Sequence, residues 1–332
     1  MGAVASGRPD ARDRLWAVVL AGGEGVRLRP LIHRLYGEDR PKQFAALVGS
    51  RSLLRQTLDR VRLAVPAEQT VIVTHQNHQG YLPEALDGAS VGRVLMQPED
   101  RGTAAGILLP SHWIHRCDPD AIVAVFPSDH FIREEQLFMD HVVEVADAVR
   151  EHPEWLVLLG AAPTHPEPDY GWIEPDEVVG CTAAGQPLSR VRRFWEKPST
   201  LSAGVCLQQG WLWNTFVIVA RVSVLLAISR QLLPRLHESL SVIAPFWGTE
   251  TEEWAFRQAY ASAPKANFSR SVLELNPPSL VVSRLPTLNW SDLGTPERMV
   301  KALKAAQLLP RWFDESDVVQ TPAAEGRQRS RV

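Results

Sequence analysis

Short apolar runs rich in β-branched residues alternate with segments of helical period along most of the chain. That alternation predicts an α/β fold, a mixed and mostly parallel sheet with helices on both faces. The runs themselves point the same way: Trp16-Ala17-Val18-Val19-Leu20 shows no polar alternation, as expected of a strand covered on both sides. The chain has 332 residues, 45% of them hydrophobic, enough for one large domain, expected over residues 15–308. Residues 1–14 and 309–332 are small, polar and charged and read as a disordered lead-in and tail.

The first strand stops at glycines, in Leu20-Ala21-Gly22-Gly23-Glu24-Gly25. Glycine tolerates positive φ and lets backbone N–H groups approach phosphate oxygens that a side chain would obstruct. Arg27 lies inside the same turn and Lys42 follows at a distance, an arrangement suited to a triphosphate. It is not a P-loop, because no Gly-Lys-Ser/Thr follows, nor a dinucleotide fingerprint, because Leu28 stands where the third glycine belongs. Ser52 would then cap a helix with Leu54, Leu58 and Val61 on one face, closed by Pro66, and residues 69–75 form a second buried strand, completing a right-handed βαβ unit.

A third strand, Arg93 to Gln97, runs into a polar turn that ends at Thr103. Thr103 is expected to N-cap a helix through Ile107, Leu108 and Ile114, with Pro110 as a kink or a late helix start. The fourth strand, Ala121 to Phe126, ends in Pro127-Ser128-Asp129-His130. An aspartate at the C-terminal end of a parallel strand lies where open α/β sheets bind ligands. It would otherwise cap the next helix, whose face Phe138, Val142, Val145 and Val149 is ordinary core. His130 reads as solvated or packed.

Residues 155–161 give a fifth strand. The Tyr170-Gly171 turn, taken alone, suits a hairpin, and Arg190 to Pro198 alternates into a strand edge that finishes at Glu196-Lys197, a pair that is usually just solvated. Trp211 and Trp213 precede Asn214 and suit either a site or the core. Leu225, Ile228, Leu232 and Leu236 recur at helical spacing as packing residues. A strand through Leu280-Val281-Val282 precedes Trp290-Ser291-Asp292-Leu293-Gly294, with a helix starting near Pro296.

Composition narrows the partners. A formal charge of −3 shows no basic excess, which argues against nucleic acid or an anionic membrane. Cys117, Cys181 and Cys206 are far apart with no CxxC spacing, which suits a reducing compartment rather than a disulfide or zinc framework. No run reaches membrane-spanning length and the first residues lack the apolar core of a secretory signal, so a cytoplasmic protein is expected.

The strings GG-x-G-x-R-L-x-P, PKQF, DRGTA, PSDH, DYGWI, EKP, WNTF and WSDLG, met in that order, resemble the signature of the sugar-1-phosphate nucleotidylyltransferases, and PKQF resembles their mannose-1-phosphate guanylyltransferase branch. The resemblance implies a Rossmann-like catalytic domain, and the chain beyond Leu309 is expected to carry no hexapeptide or cupin-like second domain of the kind that some relatives have. It implies that Leu20, Ala21, Gly22, Gly23, Glu24 and Gly25 hold a nucleoside triphosphate, with Gln97, Gly102 and Thr103 near its base. Tyr170, Gly171, Glu196, Lys197 and Asn214 would bind a sugar 1-phosphate, Asp129 and Asp292 would bind Mg²⁺, and Arg27, Lys42 and Lys197 would carry the catalytic charge. GTP and mannose 1-phosphate are the expected substrates. Another nucleotide or sugar phosphate (glucose, heptose), or a non-catalytic regulatory subunit that binds nucleotide sugars, are the alternatives, and assembly into a homo-oligomer is left open.

Several positions depart from the family pattern. Val26 stands for the usual Thr or Ser and Arg29 for Trp. In the base turn Asp100 stands for Gly and Gly102 for Asn. The stretch Asn267 to Glu274 lacks the acidic residue that relatives carry ahead of a VME-like string.

Overall fold

The strands pack as the apolar runs require, in a computed structural model that describes residues 14–308. Along the chain they are β1 (Leu15–Leu20), β2 (Thr70–His75), β3 (Arg93–Gln97), β4 (Ile122–Pro127), β5 (Phe131–Ile132) and β6 (Leu156–Ala161). They continue with β7 (Gly171–Cys181), β8 (Pro187–Glu196), β9 (Leu212–Arg221), β10 (Leu280–Arg284) and β11 (Trp290–Ser291). Nine form one sheet in the order β3-β2-β1-β4-β9-β6-β10-β8-β7, while β5 and β11 pair as a short antiparallel ribbon. Within the large sheet β8 and β9 run against the other strands, so the sheet is mixed and mostly parallel as expected.

The period-2 rule divides each strand between two cores. From β1, Ala17 and Val19 enter one cluster and Trp16 and Val18 the other. The helices are α1 (Arg29–Tyr36), α2 (Leu53–Val61), α3 (Leu82–Leu86), α4 (Gly102–Cys117), α5 (Glu135–Glu151), α6 (Thr200–Gln208), α7 (Val222–Leu232), α8 (Pro234–Ser241), α9 (Glu252–Ser262) and α10 (Pro296–Ala305). Helices α2 and α5 bury their faces in the first cluster, and α4, α7, α8 and α9 in the second. A third, small cluster joins Leu28 and Ile32 to Met299 and Leu303, tying α1 to α10 beside the glycine turn. Ser52 caps α2 as expected, its hydroxyl accepting the Arg55 N–H at 3.1 Å.

Several local expectations change. Thr103 is not the N-cap of α4: the helix starts at Gly102, whose N–H is taken by the Asp100 carboxylate at 2.8 Å, and the Thr103 hydroxyl accepts the N–H of Phe268 instead. Pro110 lies inside α4 without ending it. The spacing from Leu225 to Leu236 spans two helices, because Leu233, ahead of Pro234, leaves the helical region at φ −132°. Strand β8 is interior, held between β10 and β7, rather than an edge. Helix α2 also ends at Val61, well short of Pro66. The expected lead-in, apart from Arg14, and the expected tail lie outside the described residues. Among the described residues no helix is long and apolar enough to cross a membrane.

Candidate active site

The glycine turn leaves β1 beside β2 and β4 and is held from behind. Buried Gln43 donates its amide to Ala21 O (3.0 Å) and Gly23 O (2.7 Å), and the Thr74 hydroxyl donates to Ala21 O (2.9 Å). In a trans peptide each N–H points opposite the preceding carbonyl. With the Ala21 and Gly23 carbonyls turned inward, the N–H groups of Gly22 and Glu24 face the other way. Gly25 is left-handed at φ +60°, and a Cβ there would stand 3.0 Å from the Lys42 nitrogen, so the turn and the Lys42 segment approach as closely as a glycine allows.

Lys42 joins two aspartates that are distant in sequence. Its side chain is 10% exposed, and its ammonium donates to the Asp292 backbone carbonyl (2.6 Å) and sits 3.1 Å from Asp129 Oδ2. Asp129 follows β4, where Ser128 anchors the loop by donating to Leu20 O at 2.7 Å. Asp292 Oδ1 accepts from the Tyr170 hydroxyl (2.7 Å) and the Gly294 N–H (2.9 Å), and its Oδ2 lies 3.5 Å from the Arg298 guanidinium. Burial pushes the Asp292 carboxyl up, but the charges of Arg298 and Lys42 and the Tyr170 hydrogen bond outweigh it and hold it below its ordinary value. His130 is packed, accepting from the Trp290 indole at 3.3 Å, and burial drives its pKa down to about 4, so it is neutral near pH 7.

The opposite wall comes from β7, β8 and β9. Lys197 adopts φ +51°, its N–H bonded to Tyr170 O, and its side chain is exposed to the cavity. Burial raises the Glu196 carboxyl above its usual range against the pull of Lys197 and of a hydrogen bond from Ser269. Ser269 lies in the stretch Asn267 to Leu273, which carries no acidic residue, so a hydroxyl meets Glu196 there. Asn214 is buried and its side-chain oxygen accepts the Phe216 N–H at 3.0 Å. Arg27, half exposed at the mouth, forms an ion pair with Asp169.

These groups surround a cleft in two parts. One part, about 540 Å³, takes in Arg27, Lys42, Asp129, Tyr170, Gly171, Glu196, Lys197, Asn214 and Asp292. The other, about 440 Å³, takes in Leu20, Gly22, Gly23, Gln97 and Gly102. Glu24, Thr103 and Asp129 line both, so the two are continuous. Gly25 lines the first part. Ala21 is the exception among the expected site residues: it is fully buried beneath the turn.

Sequence reasoning missed the supports of this site. Gln43 stands in the PKQF string, which was the available signal for it. Arg298, Ser269 and Tyr260 carry no local signal, since each reaches its partner across the fold. The turn ahead of α4 accepts only glycine at position 102: at φ +81° a Cβ would stand 2.3 Å from the Ala266 carbonyl oxygen. Gly102→Ala is therefore expected to lose about 1–3 kcal/mol of stability, read as a lowered midpoint of thermal unfolding; an unchanged midpoint would contradict this packing.

The chain belongs to the nucleotidyl transferase family, which it matches over residues 16–307. Among its relatives, the xanthan biosynthesis protein XanB of Xanthomonas campestris pv. campestris (strain B100) is 32% identical over 285 residues, covering 84% of this chain and 57% of that protein. A mannose-1-phosphate guanylyltransferase of Escherichia coli is 27% identical over 285 residues, covering 85% of this chain and 58% of that one. The chain thus spans a little over half the length of these curated relatives. In three dimensions it is similar to a crystal structure described as a mannose-1-phosphate geranyltransferase from Thermus thermophilus, with a TM-score of 0.71 and 30% identity over 85% of this chain and 76% of that one.

Proposed function

We propose that this chain transfers a nucleotidyl group from a nucleoside triphosphate, foremost GTP, to a sugar 1-phosphate, foremost mannose 1-phosphate, releasing pyrophosphate. The observation that carries the reading is the junction at Lys42, where one buried ammonium meets Asp129 and the backbone of Asp292 in the cleft that the glycine turn and Lys197 share. The names of the relatives favour guanine and mannose.

An oxygen of the sugar phosphate attacks the α-phosphorus in line, and the bond to the pyrophosphate oxygen breaks. The attacking phosphate is already anionic, so neither a covalent nucleophile nor a general base is needed, and catalysis reduces to alignment and charge neutralisation. The Gly22 and Glu24 N–H groups would donate to the triphosphate, Arg27 would leave Asp169 to neutralise the departing pyrophosphate, and Lys42 would face the α-phosphate. Lys197 would hold the attacking phosphate, while Glu196 and Asn214 would take sugar hydroxyls.

Among the described residues no group of three or more His, Cys, Asp or Glu gathers as a metal cage. Asp129 and Asp292, which line the same part of the cleft, fit a hard cation that draws its remaining ligands from phosphate and water, as Mg²⁺ does. When bound, such a cation would supply further neutralisation of the phosphates between which the nucleotidyl group moves.

Pyrophosphate release, measured with each of four nucleoside triphosphates against mannose, glucose and heptose 1-phosphates, tests the substrate pair. A dominant response to GTP with mannose 1-phosphate is expected, and a dominant response to another pair would replace the named substrates. Lys197→Ala should raise KM for the sugar phosphate by about tenfold or more, the loss expected for a charge-assisted hydrogen bond; an unchanged KM would refute its assignment.

A further inference from the structure

One buried polar group among those lining the inner part of the cleft has its hydrogen-bonding sense fixed from behind. Gln97 ends β3 and is 3% exposed, and its Oε1 accepts a hydrogen bond from the Tyr260 hydroxyl at 2.9 Å. Tyr260 comes from α9 and is itself buried among apolar neighbours of the second core cluster. Burial pushes its phenol above its ordinary value, so it keeps the proton it donates. Its backbone carbonyl is held by Arg101 Nε at 3.0 Å, which ties α9 to the base turn.

A glutamine amide has one accepting end and one donating end, and free rotation would let it serve either kind of base. With Oε1 engaged, the donating Nε2 is left toward the cavity, 3.7 Å from where a Cβ on Gly22 would stand. Gly102 contributes no side chain to this wall; Asp100 and Thr103 do, beside His75 and Lys265, with the Asp100 carboxylate held by Lys265 and the Gly102 N–H, and the Thr103 hydroxyl accepting from the Phe268 N–H.

We propose that Tyr260 is a positioning residue that fixes Gln97 as a hydrogen-bond donor, so that the site takes nucleoside triphosphates with a carbonyl oxygen on the facing base edge and rejects those with an amine there. The inference rests on reading this part of the cleft as the base site. An amine opposite Nε2 sets donor against donor and leaves both unpaired in a buried place, which is how a site that hydrogen-bonds one group discriminates strongly against its replacement.

Inosine and adenosine triphosphates differ at this edge, carbonyl against amine, and neither carries the 2-amino group of guanine. The test measures kcat/KM for both, and their affinities by calorimetry, with the full chain and with Tyr260→Phe and Gln97→Glu. The wild-type preference for the inosine nucleotide is expected to be about 10²-fold or more. In Tyr260→Phe, which removes only the hydroxyl, the preference should narrow by about tenfold as the amide becomes free to turn. In Gln97→Glu the cavity-facing oxygen can only accept, and the preference should reverse toward adenosine triphosphate. Wild-type affinities that are equal or absent for both nucleotides, or a preference that survives Tyr260→Phe unchanged, would overturn the inference. The calorimetric ratio needs no transfer step, so binding with the expected preference but no turnover would count against the proposed reaction and not against this inference.

Discussion

Asp129→Asn is expected to lower turnover by about 10²-fold or more, the scale on which enzymes lose rate when a preorganised charge at the reacting phosphates is removed. The change is nearly isosteric, so the loop that Ser128 pins to Leu20 should keep its shape. The negative charge is lost, and with it the ionic partner 3.1 Å from the Lys42 ammonium and one of the two carboxylates proposed for the cation. Pyrophosphate release at saturating substrates measures the effect, with the thermal unfolding midpoint as the control for folding. Turnover near the wild-type value would remove Asp129 from the mechanism.

Gln43→Glu should be nearly as damaging, and for a different reason. The Gln43 side chain is 1% exposed and donates to two carbonyls of the glycine turn. A carboxylate there turns an accepting oxygen toward those carbonyls and places a charge where burial disfavours it. Each buried group left unpaired costs about 1–3 kcal/mol, so the affinity for nucleoside triphosphate should fall by about 10²-fold. The unfolding midpoint should fall as well, while Gln43→Ala should cost less because Ala21 O keeps the Thr74 hydroxyl and only Gly23 O is left unpaired, with neither carbonyl repelled. Equal nucleotide affinity in the wild type and Gln43→Glu, measured by calorimetry, would show that the turn does not depend on this support.

The first core strands were legible because a run such as Trp16 to Leu20 can be buried on both faces without any polar position to accommodate, and the structure places these residues alternately in two cores. Strand direction was not legible. Nothing within β8 or β9 marks them as antiparallel, since direction depends on the connections and neighbours that β4, β6, β7 and β10 supply. Helix α4 starts two residues earlier than a Thr103 N-cap would place it, because Asp100, two positions ahead of Gly102, takes the Gly102 N–H, and Phe268 from another part of the chain takes the Thr103 hydroxyl. Pro234 was readable as a helix boundary, yet the apolar spacing through Leu236 carried across it because α7 and α8 bury the same face.

At the site, the residues that face the cleft were nearly all in recognisable strings, whereas of those behind it Gln43 and Ser128 were and Thr74, Tyr260 and Arg298 were not. Lys42 and Asp292 are 250 positions apart, and their contact arises only when α10 and β11 return to the glycine turn. Arg298 holds Asp292 from a helix whose sequence reads as an ordinary surface segment with one apolar stripe.

The most direct test of nucleotidyl transfer follows the phosphorus. With GTP labelled at the α-phosphate, mannose 1-phosphate and Mg²⁺, a single in-line displacement puts all transferred label in the sugar nucleotide and none on the protein, while label at the γ-phosphate leaves entirely as pyrophosphate. Label from the α-phosphate that stays on the protein through denaturation, or a labelled sugar product formed from the γ-phosphate, would contradict a single in-line displacement at the α-phosphorus.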